Sequence, residues 1–284
     1  MGEKEQIRPK QKQSRPGTET KLQPEPQHNP KSKGSNKLKD KVAIITGGDS
    51  GIGKATALLF AREGADIAIV YLSEDKDAND TKKGVEKEGR KCLLIKTDIS
   101  KEVNCKTVVE KTLKEYNKID ILINNAGMHW DNEHIEDIST KELKQTFEIN
   151  FYSCFWLSKY TVPHLKKGSS IINTTSITAY RGSDHLMDYA SSKGAILAFT
   201  RSLSQNLVKK NIRVNAVAPG PIWTPLIAST FDEEQVAKFG SDTPMGRAGQ
   251  PNEVAPCFLF FASDDSSYLT GQTLHPNGGS ILNG

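Results

Sequence analysis

Val42-Ala43-Ile44-Ile45-Thr46-Gly47-Gly48-Asp49-Ser50-Gly51-Ile52-Gly53-Lys54-Ala55-Thr56-Ala57-Leu58-Leu59-Phe60 is the stretch that decides the fold. Val42 to Thr46 form a continuous apolar, β-branched run, as expected of a parallel strand buried on both faces. Lys54 to Phe60 repeat Ala, Leu and Phe at helical spacing. A glycine-rich turn joins the two, and strand, turn and helix in that order make an anion site. Amides at the helix N-terminus point at the anion, and glycines let a diphosphate approach the main chain. The spacing Gly47-x-x-x-Gly51-x-Gly53 departs from the commoner Gly-x-Gly-x-x-Gly, so the general dinucleotide fingerprint is met only approximately. Gly47, Asp49, Ser50, Gly51, Ile52 and Gly53 are the candidate contacts.

Strand-like segments recur near 67–71, 92–96, 120–123, 170–174, 212–217 and 272–275, separated by helical patterns. The alternation predicts an α/β chain: one doubly wound parallel sheet of the Rossmann type, about seven strands, helices on both faces. Ligands of such sheets bind beyond the carboxyl ends of the strands. Gly47, Asp98, Asn125, Ser176 and Pro219 all fall just after strands and so gather at one edge. Asp98, followed by Ile99, is placed to accept from an adenine amino group, but an Asp at a strand end equally serves as a helix cap. Asn125, Ala126 and Gly127 are small or amide-bearing, letting the chain pass beneath a ribose and hydrogen-bond the preceding loop.

Tyr189 and Lys193 stand four residues apart in a helical pattern from Leu186 to Thr200, with Ser176 upstream at a strand end. Positions i and i+4 share a face, roughly 5–6 Å apart. A free phenol, with a pKa of about 10, is a poor base at neutral pH, and a fixed cation beside it favours the phenolate. Alone, Tyr-x-x-x-Lys describes a solvated lysine beside an amphipathic tyrosine; the nucleotide-binding signals elsewhere change that.

Together, Thr46-Gly47-x-x-x-Gly51-Ile52-Gly53, Asn124-Asn125-Ala126-Gly127, Asn150, Ser176, Tyr189-x-x-x-Lys193 and Pro219-Gly220 resemble a short-chain dehydrogenase/reductase across about Lys37 to Gly284. Thr174 to Tyr180 and Ala218 to Pro225 are similar to the bacterial general-stress branch and to glucose and ribitol dehydrogenase homologues. The resemblance implies an oxidoreductase moving a hydride between a nicotinamide and an alcohol, ketone or aldehyde. Tyr189 would then be general acid or base, with its pKa lowered by Lys193, which also reaches the nicotinamide ribose. Ser176 would hold the substrate oxygen, and Asn150 would relay protons from Lys193 through water; without the family, Asn150 is an ordinary polar residue inside a helix. Pro219, Gly220 and Ile222 would cradle the nicotinamide, with Thr224 near its carboxamide. Met128 to Trp130, Thr178 to His185 and Trp223 to Lys238 would line the substrate pocket, Thr178, His185 and Trp223 foremost.

An acidic residue ending the second strand would grip a ribose 2′-hydroxyl, and an Arg a 2′-phosphate. Tyr71 and Leu72 occupy those places, and Ser50 stands where phosphate binders often carry Arg or Lys. Glu74 and Asp75 would repel a phosphate, so NAD is expected, with NADP as the alternative.

The first forty residues hold ten Lys and Arg against five Asp and Glu, and five of the thirteen prolines. The formal charge of +4 thus belongs to this segment and marks no basic face on the fold. Residues 1–36 have almost no apolar content and are expected to form a disordered tail, leaving 37–284 as the domain. The sequence offers no nucleic-acid or membrane partner, no secretion signal and no span near ~20 apolar residues. Cys92, Cys105, Cys154 and Cys257 are scattered, and the six histidines form no ligand cluster. No metal and a reducing, cytoplasmic setting follow. A homotetramer, built through the helices near 101–117 and 140–162, is what the resemblance implies. A nucleotide-sugar epimerase typically has Gly-x-x-Gly-x-x-Gly and a longer C-terminal domain, neither of which is present; the alternative is a cofactor-binding scaffold without turnover, against which the intact Ser176, Tyr189 and Lys193 argue.

Overall fold

The computed structural model describes residues 5–282. Seven parallel strands form one sheet in the order β3-β2-β1-β4-β5-β6-β7. They are β1 (Val42–Thr46), β2 (Asp66–Tyr71), β3 (Cys92–Lys96), β4 (Ile121–Asn124), β5 (Ser170–Thr174), β6 (Arg213–Val217) and β7 (Thr273–Leu274). Every residue of β1, β4 and β5 is buried, which is why these strands read as unbroken apolar runs rather than alternating ones.

Helices cover both faces. On one side lie α1 (Gly51–Arg62), α2 (Asp75–Lys87) and, after the later strands, α10 (Pro251–Ala262); Ala57, Phe60, Val254 and Phe258 pack there onto Ile45 and Ile69. The other side carries α3 (Glu102–Tyr116), α4 (Thr140–Phe147), α5 (Ser153–Thr161) and α7 (Met187–Leu207), with Val108, Leu157 and Leu207 against Ile44 and Ile171. A π-helical turn, Glu148–Tyr152, joins α4 to α5. Three short helices, α6 (Thr178–Arg181), α8 (Pro225–Thr230) and α9 (Glu233–Lys238), stand beyond the strand ends. Chain order reverses between β1 and β4, opening a crevice at their carboxyl ends.

The N-terminal segment departs from expectation. Residues 5–36 run across the domain instead of standing free, while residues 1–4 lie outside the described residues. Backbone amides of Ile7 and Arg8 donate to Ala237 O, Gln13 N donates to Ala228 O, and Leu22 is buried beside Trp223 and Phe231. Polar side chains and main-chain bonds fasten this segment, so low hydropathy gave no sign of its docking. Low apolar content implies disorder only where burial of apolar surface is the main source of order.

Candidate functional site

Where the strand order reverses, a cavity of about 560 Å³ opens, bordered by Gly47, Ser50, Gly51, Ile52 and the loops after β4, β5 and β6. The turn after β1 needs its glycines. Gly47 and Gly51 take φ of +62° and +53°, a region costly for side-chain-bearing residues. A Cβ on Gly53 would lie 2.0 Å from Gly47 O, so no larger residue fits. The Asn125 side-chain amide donates to Thr46 O at 3.0 Å, and the amides of Asn125 and Ala126 both donate to Thr46 Oγ1. The loop after β4 is thereby fixed against the glycine turn. The start of a 12-residue helix, on the border of a cavity of this size, fits the diphosphate of a dinucleotide.

Helix α7 brings Tyr189 and Lys193 to the same cavity, and Ser176 reaches it from the turn after β5. Lys193, only 2% exposed, donates to Thr174 O at 2.8 Å and stands 5.5 Å from the Tyr189 ring centroid. Ser176 Oγ accepts from Thr178 N at 3.1 Å and Thr178 Oγ1 at 3.0 Å, which leaves its own proton to face the Tyr189 phenol oxygen. Asn150 sits in the π-helical turn, a distortion common at functional sites. It does not border the cavity. Its Oδ1 accepts from Met128 N, and its Nδ2 donates to Met128 O and Ser192 Oγ, tying the β4 loop to α7. A Cβ on Gly127 would approach Asn150 Oδ1 to 3.3 Å and Lys193 Nζ to 3.4 Å, so these two groups stand together behind that glycine.

The electrostatics correct one expectation. Burial pushes the Tyr189 phenol up to about 12, with Ser176 hydrogen bonding offsetting part of the rise. Burial also draws the Lys193 ammonium down to about 8. Desolvation disfavours both charged forms, and at the phenol only the Ser176 hydrogen bond works against it. In the protein alone Tyr189 is a neutral proton donor at neutral pH.

Ala126, Gly127, Pro219, Gly220, Ile222 and Thr224 border the cavity, as do Thr178 and His185. Asp49, Gly53, Tyr71, Leu72, Asp98, Ile99 and Trp223 do not. Asp98 Oδ1 accepts from Ser100 N, closing a turn ahead of α3. Asp49 is buried, and desolvation, with Glu74 and Asp77 nearby, pushes it up to about 7. Tyr71 donates to Asp75 Oδ1 at 2.8 Å, and Leu72 points into solvent, 52% exposed. Trp223 faces away from the pocket: it is fully buried, and its indole N–H donates to Pro24 O at 2.7 Å. Aromatic residues that do border the cavity include Phe231, Phe239 and His129, the last 5.1 Å from the Tyr189 ring, its Nδ1 buried without a hydrogen-bond partner. Burial draws this imidazole down to about 3, so it is neutral. Gln235 of α9 and His185 both meet Asp131, at 3.0 and 2.5 Å, closing the substrate side.

The sequence model of a family described as "Enoyl-(Acyl carrier protein) reductase" matches residues 47–280. General stress protein 39 of Bacillus subtilis (strain 168) is 58% identical over 276 residues, 96% of each chain. The chain belongs to the short-chain dehydrogenase/reductase family. Within it, this member falls in the branch of Glucose and ribitol dehydrogenase of Daucus carota, 48% identical over 98% of each chain. A short-chain dehydrogenase from Burkholderia cenocepacia J2315 in complex with NADP superposes with a TM-score of 0.81 at 30% identity, covering 86% of this chain and 98% of that one. NADH-dependent reductase A1-R′, "responsible for alginate metabolism", superposes at 0.78 with 32% identity, covering 87% and 100%. This short-chain dehydrogenase/reductase is an NAD(P)-dependent oxidoreductase, and no comparison supports the scaffold alternative.

Proposed function

We propose that the protein interconverts a small polyhydroxylated alcohol and its carbonyl, with the Tyr189 phenol giving its proton to the carbonyl oxygen in reduction and taking it back in oxidation. The observation that carries this reading is the presence of Tyr189, Ser176 and Lys193 on the same cavity as the glycine turn. Ser176 turns its proton from the Tyr189 phenol to the substrate oxygen and stabilises the charge that builds there. Lys193, held by Thr174 O, aims its remaining protons at the cofactor ribose and supports Tyr189 electrostatically. Asn150 holds Met128 and the start of α7 in register and leads protons toward Lys193. Gly47, Ser50, Gly51, Ile52, Gly53, Asn125, Ala126 and Gly127 hold the dinucleotide, with Asp49, Asp98, Ile99, Tyr71 and Leu72 toward its adenosine end. Pro219, Gly220, Ile222 and Thr224 hold the nicotinamide, which supplies or accepts the hydride when bound.

The preferred cofactor in this reading is NAD. Glu74, Asp75 and Asp77 gather beyond β2, and Lys96 already meets Asp75 at 2.6 Å, an unfavourable setting for a 2′-phosphate. The substrate class rests on Thr178, Arg181, Gln235 and the unpartnered His129 nitrogen around the cavity, together with the name of the carrot relative. A homotetramer is favoured by exposed apolar side chains on α3 to α5: Val103, Leu143, Tyr152 and Phe155. A cytoplasmic setting is favoured by four free cysteines.

The test is a panel of aldoses, polyols and apolar ketones with NADH, NADPH and their oxidised forms. Tyr189→Phe is expected to cut turnover by about 10²–10⁴-fold with cofactor affinity kept. Wild-type turnover that survives in Tyr189→Phe would refute the assignment.

A further inference from the structure

The N-terminal segment precedes the family match, which begins at residue 47, yet it touches both walls of the cavity. The carrot relative aligns over 98% of the chain, a length that cannot exclude this segment. At its centre is Glu19, 1% exposed. Oε1 of Glu19 accepts from Gly51 N at 2.6 Å, and Oε2 stands 2.7 Å from His28 Nε2 and 3.6 Å from Lys54 Nζ. The Glu19 amide donates to Asp77 Oδ2 at 3.0 Å, fixing the carboxylate in place.

Gly51 is the first residue of α1, and Ser50 at the N-cap makes no side-chain capping bond. A serine there ordinarily accepts from an amide of the first turn. Glu19 supplies that acceptor instead, while Ser50 borders the cavity. The facing Lys54 ammonium offsets part of its charge, which reduces the repulsion the carboxylate adds toward an approaching diphosphate. At the other end, the carbonyls that receive the Ile7, Arg8 and Gln13 amides belong to α8 and α9, whose residues line the cavity's substrate side. Arg8 also donates to Phe239 O at 2.6 Å and lies over the Trp223 ring at 4.4 Å. Gly17 packs so close to α8 that a Cβ would lie 2.5 Å from Pro225 O.

We propose that Glu19 is a positioning residue for the cofactor turn, ordering the Gly51–Gly53 backbone before the dinucleotide arrives, and that residues 7–17 of the same strap hold the α8–α9 wall of the substrate cavity. The inference rests on the oxidoreductase reading above and adds to it a residue outside the domain expected to hold the site. A glycine turn is conformationally loose, and freedom left in it must be lost on binding. Removing a capping acceptor shifts an equilibrium by about three- to thirty-fold.

The experiment is fluorescence titration of full-length variants with NADH and NADPH, paired with steady-state kinetics on the best carbonyl of the panel. Glu19→Ala is expected to weaken the preferred cofactor about three- to thirty-fold, with kcat and the carbonyl KM at saturating cofactor within twofold of wild type. Glu19→Gln keeps an acceptor oxygen for Gly51 N and is expected to restore binding to within about twofold. Arg8→Ala should show the converse split, a raised carbonyl KM with cofactor Kd unchanged. The proposal is overturned by a Glu19→Ala protein that binds cofactor as wild type does, by a Glu19→Gln protein as weak as Glu19→Ala, or by Glu19 and Arg8 variants that shift the same constants. A wild-type protein that binds neither dinucleotide sinks the oxidoreductase reading as well; normal binding and turnover with an insensitive Glu19 sinks this proposal alone.

Discussion

Replacing Lys193 by Met should yield a protein that is more stable and nearly inactive. Lys193 is buried, and desolvation brings it from 10.5 down to about 8. The fall corresponds to about 3 kcal/mol of destabilisation carried by the fold while the ammonium keeps its proton. Met is of similar length and apolar, so the site refills without a large cavity. Against the gain stands the Thr174 carbonyl, which loses the donor that Lys193 holds on it at 2.8 Å. That loss is worth about 1–1.5 kcal/mol, leaving a net gain of about 1–2 kcal/mol at pH 7. The sign with pH follows from linkage. Because the folded pKa lies below the unfolded one, the unfolded chain alone holds this proton between about 8 and 10.5. Wild-type stability from this group therefore rises across that window, and the variant's advantage is full below about 8 and gone near 10.5. Urea unfolding of both proteins at pH 7, 9 and 10.5, at one fixed protein concentration, measures the difference directly. A variant no more stable than wild type at pH 7, or an advantage unchanged at pH 10.5, would refute the assignment of a strained, buried cation.

Gly53→Ala places a Cβ 2.0 Å from Gly47 O and should weaken dinucleotide binding at least about 100-fold, read by fluorescence titration. Retained affinity would mean that the cofactor does not approach this turn. Trp223→Ala empties a fully buried indole site under the strap and should cost about 3–5 kcal/mol in urea unfolding. A loss below about 1 kcal/mol would show that the strap does not cover this residue. His129, drawn down to about 3, destabilises the fold as pH falls from about 6.5, because only the unfolded chain takes up the proton. His129→Phe should flatten the acid limb of the stability curve by up to about 5 kcal/mol at pH 3–4, and an unchanged limb would contradict its burial as a neutral ring.

The sheet was legible because buried parallel strands announce themselves. β1, β3 and β5 fall at the residues expected from their apolar runs, β2 and β6 differ by one residue at one end, and β4 and β7 by one residue at each end. The helix bearing Tyr189 and Lys193 continues to Leu207, past the expected Thr200, since nothing in Arg201 to Leu207 breaks a helix. Strand ends placed Gly47, Asn125, Ser176 and Pro219 on one edge, as order along a doubly wound sheet requires. Orientation was the harder quantity. Trp223 and Thr224 are adjacent, yet one faces the strap and the other the cavity, a difference set by main-chain geometry that periodicity outside regular elements cannot supply. The direction of the Tyr189 shift was hidden for another reason: spacing gives the distance to a cation but not how dry the site is. Glu19 had no local signal, because its partner Gly51 stands 32 residues away.

The strap's long reach also sets an order of assembly. Pro24 accepts a hydrogen bond from a tryptophan 199 residues further on, and the Gln27 amide donates to Gln250 Oε1, 223 residues on. Residues 7–30 rest on elements about 200 residues further along the chain, so their resting place exists only once those elements have packed. Closing such loops is entropically unfavourable until the sheet and its flanking helices offer a finished surface. The strap is therefore the last part to settle, and the two walls of the pocket become tied together only after the helices beneath it are in place.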